Sequence, residues 1–110
     1  MLPTKVHNRL GILKGARAAI AQFGHVKGIY GNERWGMCIS GAMRYAYTGS
    51  TSGIVHNDQE EYWEAEAAIK ADLPVYWNGY IVDWNDAPDR TKEDVLNLLD
   101  RVIIRLEQSA

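Results

Sequence analysis

IVDWNDAPDRTKEDVLNLLDRVIIRL, residues 81–106, contains the strongest structural signals in the chain. Pro88 disfavours a helical backbone at the residue before it, so a turn is predicted there. Thr91, followed three residues later by Asp94, resembles a capping box and predicts that a helix begins at about Thr91. The apolar residues that follow are too numerous for one narrow stripe, so we predict a central core helix on which several elements pack. They are Val95, Leu96, Leu98, Leu99, Val102, Ile103, Ile104 and Leu106.

The residues just before this helix predict a β-hairpin. Two aromatic, β-branched runs within Val75–Val82 are joined by Asn78-Gly79, the dipeptide favoured in type I′ turns. Trp84 is then predicted to fill the core beneath the last helix. Asn85 and Asp86 are predicted to fix the start of that helix, since such residues often cap and bend the backbone locally.

Three further helices are predicted upstream. Apolar residues recur every three or four positions between Lys5 and Phe23, with Thr4 and Gly24 as caps. Similar patterns cover Met37–Tyr47 and Asp58–Ala71.

Glycine inside the first of these helices has a predicted packing role. Gly11 and Gly15 are unfavourable in a helix interior. They therefore suggest that another backbone approaches that side of the helix closely.

Length and cysteine content restrict the class of protein. A chain of 110 residues suits one domain with a single core, which we assign to residues 1–110. Cys38 is the only cysteine, which excludes an internal disulfide and fits a reducing compartment. The sequence has no apolar run that would span a bilayer and no signal-peptide pattern, so a cytoplasmic location without membrane partners is predicted.

The net charge of -2 hides an asymmetry between the two halves of the chain. Residues 1–47 contain seven basic residues and one acidic residue, whereas residues 48–110 contain five basic and thirteen acidic ones. One interpretation is that the halves attract each other within the fold or between copies. The other is that a basic face binds phosphate-bearing partners, or an acidic face competes with nucleic acid.

The segment His25–Gly36, HVKGIYGNERWG, is rich in glycine and aromatic residues. We predict a loop or small hairpin, with a short strand near Val26–Tyr30. Exposed backbone amides and aromatic faces in such a loop can hold a planar or phosphate-bearing ligand, although no phosphate-loop or dinucleotide motif is present. The residues that we predict to bind a small ligand combine stacking faces with hydrogen-bonding groups: His25, Tyr30, Arg34, Trp35, Trp77 and Asn85.

A cysteine-dependent hydrolase is the first alternative. Cys38 near a helix start would be the nucleophile, His25 or His56 the base, and Asn85 or Asp86 the group that orients the imidazole. An exposed Cys38 close to a histidine would support this hypothesis, whereas a buried one would indicate a packing role.

A nucleic-acid-binding accessory protein is the second alternative, and it would use the basic first helix. Its candidate residues are Lys5, Arg9, Lys14 and Arg17, which are spread around that helix and match no docking motif. For metals, His56 and Asp58 are the only close pair of potential ligands, so neither a metal nor another cofactor is predicted.

Several short motifs resemble a known family. They are Met37-Cys38-Ile39-Ser40-Gly41-Ala42, which contains Cys-x-x-Gly-Ala, and Trp84-Asn85-Asp86 with Pro88, a Trp-Asn-Asp-x-Pro motif. In this order, the chain resembles a domain-of-unknown-function family of short actinobacterial and bacteriophage proteins. The resemblance implies a small stand-alone protein, phage-encoded or prophage-linked, and no particular reaction.

These observations lead to one combined prediction. The fold is a helix-rich α+β domain with three or four helices and a small antiparallel hairpin at Val75–Val82. The function is that of a non-enzymatic binding protein in the cytoplasm of a bacterial host. It would sequester a host or defence-system protein, or a small ligand such as a nucleotide-like one, and it would form homo-oligomers.

Overall fold

A computed structural model describes residues 8–109. Within them, helices dominate and one two-stranded antiparallel sheet is present, so the helix-rich α+β class is confirmed, with five helices in place of three or four. The Cα radius of gyration is 12.6 Å, close to the value for one compact domain of about 100 residues. The elements are α1 (Arg9–Phe23), β1 (Gly31–Asn32), β2 (Gly36–Met37), α2 (Ile39–Thr48), α3 (Glu60–Asp72), a 3₁₀ turn (Val75–Trp77), α4 (Ile81–Asp86) and α5 (Lys92–Gln108).

Helix α5 is the predicted core helix. Thr91 is its N-cap: the Thr91 hydroxyl accepts the Asp94 N–H at 3.1 Å, and the Asp94 carboxylate accepts the Thr91 N–H at 3.0 Å. Leu99 and Val102 are fully buried, as predicted, whereas Ile104 is 51% exposed. The helix packs against α1 and α3.

Among the described residues, helix α1 begins at Arg9. Asn8 caps it by accepting the Gly11 N–H at 2.7 Å, and Gly24 ends it with a φ of +106°. The predicted start at Lys5 and the predicted cap Thr4 lie outside the described residues.

The close approach predicted at Gly15 is observed. A Cβ at Gly15 would lie 2.8 Å from the Ala46 Cβ on α2, so α1 and α2 cross with almost no side chain between them. Helix α2 begins at Ile39 because Cys38 has an extended backbone, with a ψ of 172°, and acts as its N-cap.

The small sheet lies in the glycine-rich segment and not at Val75–Val82. Gly31 pairs with Met37 and Asn32 with Gly36, in agreement with the predicted loop or small hairpin. The strand predicted near Val26–Tyr30 is wrong: only His25 forms a bridge, to Met37.

The hairpin predicted at Val75–Val82 is also wrong. Asn78 and Gly79 do have positive φ values, but the residues before them form a 3₁₀ turn and Ile81 starts α4. An isolated hairpin needs a further surface to cover it, and Val75 is 95% exposed, so no such surface is present there.

Helical spacing explains the structure that forms at residues 81–86 instead. Trp84 and Asn85 follow Ile81 by three and four positions, and all three residues are buried. This spacing places them on one face of a helix. Trp84 therefore reaches the core, as predicted, but from a helix.

The acidic helix α3 spans Glu60–Asp72, close to the predicted range, and ends before Pro74. Its N-cap is Gln59, whose side chain makes no capping hydrogen bond. Among residues 8–109, no helix is both long enough and apolar enough to cross a membrane.

Candidate functional site

Asn85, at the end of α4, is the one polar residue that is buried in the part of the chain described here, with 1% exposure. Its Oδ1 accepts the backbone N–H of Ile39 at 3.1 Å and lies 2.8 Å from Nε2 of His25. Its Nδ2 donates to the Val26 carbonyl at 3.1 Å and to Asp86 Oδ1 at 2.8 Å. Since Oδ1 can only accept, the His25 ring carries its hydrogen on Nε2.

Asn85 therefore connects α4 with two other parts of the fold: the loop after α1 and the start of α2. Asp86 extends this connection, because its Oδ1 also accepts the Gly28 N–H at 3.1 Å. The prediction that Asn85 and Asp86 fix the start of the last helix is thus wrong, since their bonds go to other segments.

Arg90, and not Asn85 or Asp86, makes the side-chain contacts that hold the turn before the last helix. Its Nε donates to the Trp84 carbonyl at 2.8 Å, and its guanidinium carbon lies 3.8 Å from the centre of a Trp84 ring. The same guanidinium carbon lies 5.5 Å from the centre of a Trp77 ring. Arg90 thus holds the turn between α4 and α5 against the two tryptophans.

A cavity of about 310 Å³ opens beside the Asn85 network, between α4, the start of α2 and the Gly28–Tyr30 segment. Its size is at the lower end of the range for small-molecule pockets. The lining residues are Gly28, Ile29, Tyr30, Cys38, Ser40, Val82, Asn85 and Asp86.

Cys38 lines this cavity but is only 6% exposed. Its Sγ accepts the Gly41 N–H at 3.2 Å, which caps α2. Burial is the largest effect on the Cys38 thiol and raises its pKa. Hydrogen bonds from the Gly41 and Ser40 amides lower the pKa in part, and the nearby Asp86 charge raises it further. The thiol is therefore protonated at neutral pH.

The residues of the hydrolase alternative are only partly assembled. Cys38, Asn85 and Asp86 line one cavity, and His25 bonds Asn85. His56 lies elsewhere, before α3, where it is exposed and its carbonyl accepts the Trp63 indole N–H. A buried, protonated thiol lacks the nucleophilicity that this alternative needs.

Of the predicted ligand-binding residues, the structure gathers His25, Tyr30 and Asn85 at the cavity or its supporting network. Arg34 and Trp35 lie on the exposed turn between β1 and β2, while Trp77 lies against Arg90. These three do not line the cavity.

Several residues that line the cavity are not among the predicted ligand-binding residues. Gly28 and Ile29 are two of them, but they belong to the glycine-rich segment His25–Gly36, which the sequence does indicate as a ligand-binding loop. Ser40 and Val82 carry no local signal, because only tertiary packing brings α2 and α4 together.

The basic residues of the nucleic-acid alternative are partly neutralised. Lys14 pairs with Glu107 at 2.9 Å, and Arg17 pairs with Asp100 at 2.9 Å. Arg9 is exposed, and Lys5 lies outside the described residues. The two ion pairs agree with the interpretation that the basic and acidic halves attract each other within the fold.

Within residues 8–109, no group of three or more His, Cys, Asp or Glu side chains is arranged to hold a metal ion. The site is a mostly apolar cavity. Its polar lining side chains are those of Tyr30, Ser40, Asn85 and Asp86, together with the protonated thiol of Cys38.

The comparison with known families gives one match. A family of unknown function, DUF6197, matches residues 6–105. Neither the curated proteins nor the solved structures provide a match to this chain. Because the match covers nearly all of its 110 residues, this chain belongs to the DUF6197 family.

Proposed function

We propose that this protein is a non-enzymatic binding protein that holds a small molecule in the cavity beside Asn85. The observation that supports this most directly is the cavity itself: about 310 Å³, with a mostly apolar wall and few polar groups. Small-molecule sites in proteins typically have this composition.

The wall of the cavity is held in place before any ligand binds. Asn85 fixes α4 to the loop at His25 and to the start of α2, and the Cys38 N–H donates to the Tyr30 carbonyl at 3.2 Å. Such preorganisation reduces the entropy that a ligand must overcome on binding.

Binding is favoured over catalysis by the state of the thiol. Cys38 is the strongest potential nucleophile in the wall, and its raised pKa keeps it protonated. Sequestration of the ligand, a bacteriophage origin and a role against host or defence components are further parts of this proposal; they rest on the family resemblance alone.

A fragment screen by protein-observed NMR tests the proposal. Small aromatic compounds of positive, zero and negative charge would be added to the wild type and to Val82→Trp, which places an indole at the cavity wall. We expect fragments that shift the resonances of Gly28, Ser40 and Asp86 in the wild type to lose binding in the variant.

Ile104→Trp is the matched control, because it introduces the same side chain at a half-exposed aliphatic position on α5, away from the cavity. It should bind the fragments as the wild type does. The absence of any fragment that perturbs cavity resonances would contradict the proposal, and so would equal binding by Val82→Trp.

A further inference from the structure

We infer that the ligand of this cavity carries an amine, amidinium or similar N–H donor on an apolar, ring-containing body. This inference rests on the proposed binding function and specifies its ligand class. It follows from which polar atoms of the wall are already used and from the sign of the charge there.

Most polar atoms at the site are already bonded within the protein. Asn85 Oδ1 accepts two hydrogen bonds and Nδ2 donates two, so the hydrogen-bonding capacity of this side chain is fully used. The Cys38 sulfur is engaged by the Gly41 N–H. These groups shape the cavity and offer little to a ligand.

Asp86 and Ser40 keep hydrogen-bonding capacity. Both contacts of the Asp86 carboxylate go to Oδ1, so within residues 8–109 Oδ2 has no hydrogen-bond partner. The Ser40 hydroxyl likewise makes no side-chain hydrogen bond in that range. A carboxylate oxygen only accepts, so the group that best satisfies Asp86 is a donor, and a positively charged donor gives the stronger bond.

The charge of the wall also favours a cation. Among residues 8–109, Asp86 is the only charged residue that lines the cavity. Neither Lys27 nor Arg44 lines the cavity: the Lys27 amine donates to the Pro88 carbonyl, and the Arg44 guanidinium donates to the Tyr62 hydroxyl. A ligand carboxylate or phosphate would meet Asp86 without a lining cation to offset the repulsion. A phosphate-bearing, nucleotide-like ligand therefore fits this cavity poorly.

The rest of the wall suits an apolar ring. Ile29 and Val82 contribute aliphatic surface, and Tyr30 contributes an aromatic ring. The Arg44 guanidinium lies 5.3 Å from the centre of the Tyr30 ring. A ligand with one or two rings and a short aminoalkyl arm would place its body against these residues and its nitrogen at Asp86 and Ser40.

Three indoles that differ mainly in charge test the inference: tryptamine, tryptophol and indole-3-acetate. Their affinities for the wild type, Asp86→Asn and Asp83→Asn would be measured by NMR titration. Asp86→Asn keeps an oxygen for the Gly28 and Asn85 bonds but removes the charge and the second acceptor. Asp83→Asn is the control, because Asp83 is an exposed acid on the same helix that does not line the cavity.

We expect tryptamine to bind the wild type most tightly and to lose about 10- to 100-fold in affinity in Asp86→Asn, the range for a hydrogen bond to a charged group. Tryptophol should change much less, and Asp83→Asn should leave all three affinities close to those of the wild type.

Three results would overturn the inference: tryptophol or indole-3-acetate binding as tightly as tryptamine, an unchanged tryptamine affinity in Asp86→Asn, or no tryptamine binding at millimolar concentration. In each case, the proposed binding function would still stand if other fragments bind the wild type and fail to bind Val82→Trp. If neither the indoles nor any fragment binds the cavity, both the proposed function and the inference are wrong.

Discussion

Asn85 joins segments that are far apart in the sequence. Its side chain reaches His25 and Val26 after α1 and the amide of Ile39 at the start of α2. A buried amide with all its bonds made is stabilising mainly because its partners have no access to water. One side chain thereby fixes the relative positions of three elements and one side of the cavity.

We predict that Asn85→Ala lowers the free energy of unfolding by about 2–4 kcal/mol, because the buried Ile39 N–H and the Val26 carbonyl lose their partner. Urea denaturation measures this change. Asn97→Ala, at an exposed position of α5, is the control and should alter stability by no more than about 0.5 kcal/mol. Equal effects of the two variants would show that the Asn85 network is not a structural connection.

Cys38 allows a second prediction at the level of one residue. Because burial raises its pKa, we expect iodoacetamide to alkylate the native thiol more slowly than the urea-unfolded chain at pH 8, and the rate to reach its midpoint at a higher pH. Cys38 is the only cysteine, so mass spectrometry reports it without ambiguity. Native and unfolded chains that react equally fast would contradict a buried, protonated thiol.

The same shift sets the sign of a pH effect on stability. The folded state binds the thiol proton more tightly than the unfolded state. The stability that this shift contributes is therefore fully present below the thiol pKa of the unfolded chain, and it is lost as the pH rises through the raised pKa of the folded state.

At the scale of elements, the crossing of α1 and α2 depends on the absence of a side chain at Gly15. Ala46 occupies the space that a Cβ would need, at 2.8 Å, whereas unstrained carbon contacts are about 3.5–4.0 Å. Both residues are buried, so neither helix can move away without opening the core.

We predict that Gly15→Ala destabilises the fold by about 1–3 kcal/mol, although alanine is favoured over glycine in an isolated helix by about 1 kcal/mol. The double variant Gly15→Ala/Ala46→Gly should recover much of that loss, because it moves the methyl group from one helix to the other. Urea denaturation of both single variants and the double variant gives the coupling. Additive effects would mean that the helices separate without cost.

At the scale of the whole molecule, basic residues of the first half of the chain form ion pairs with acidic residues of the second half within the fold. The Arg17 guanidinium makes two contacts with Asp100, from Nε at 2.9 Å and from Nη2 at 3.3 Å. Together with Lys14 and Glu107, this pair joins α1 to α5. Homo-oligomerisation, the other way in which the halves could attract each other, stays a prediction.

We predict that Arg17→Glu and Asp100→Arg each destabilise the protein and that the double variant restores much of the loss. The coupling should be about 0.2–1 kcal/mol at low salt, since the pair is partly exposed, and smaller at high salt. Thermal unfolding at two ionic strengths measures it. A coupling that is absent at low salt would show that the halves do not attract each other through this pair.

The core helix could be predicted because its signals are local. Thr91, Asp94 and the apolar residues that follow them specify a capped, largely buried helix without reference to any other element. The segment Val75–Val82 could not be predicted in the same way. Its composition favours strands, but whether strands form depends on a covering surface, and residues 81, 84 and 85 instead find a buried environment on one helix face.

The candidate site could be predicted only in part, for a similar reason. The glycine-rich segment with Tyr30 was recognised from its composition, and Asn85 was recognised as a hydrogen-bonding group. Arg34, Trp35 and Trp77 have suitable chemistry for ligand binding but lie away from the cavity. Residue type alone does not determine which side chains meet.

The sequence by itself determined the helix-rich class, the capped core helix, the single protonatable thiol and the opposite charges of the two halves, because these depend on spacing and composition along the chain. The tertiary structure alone decided that α4 forms, that Cys38 is buried and that Ser40, Val82 and Asp86 share one cavity. These features depend on contacts between residues more than forty positions apart, and such contacts leave no periodic signal in the sequence.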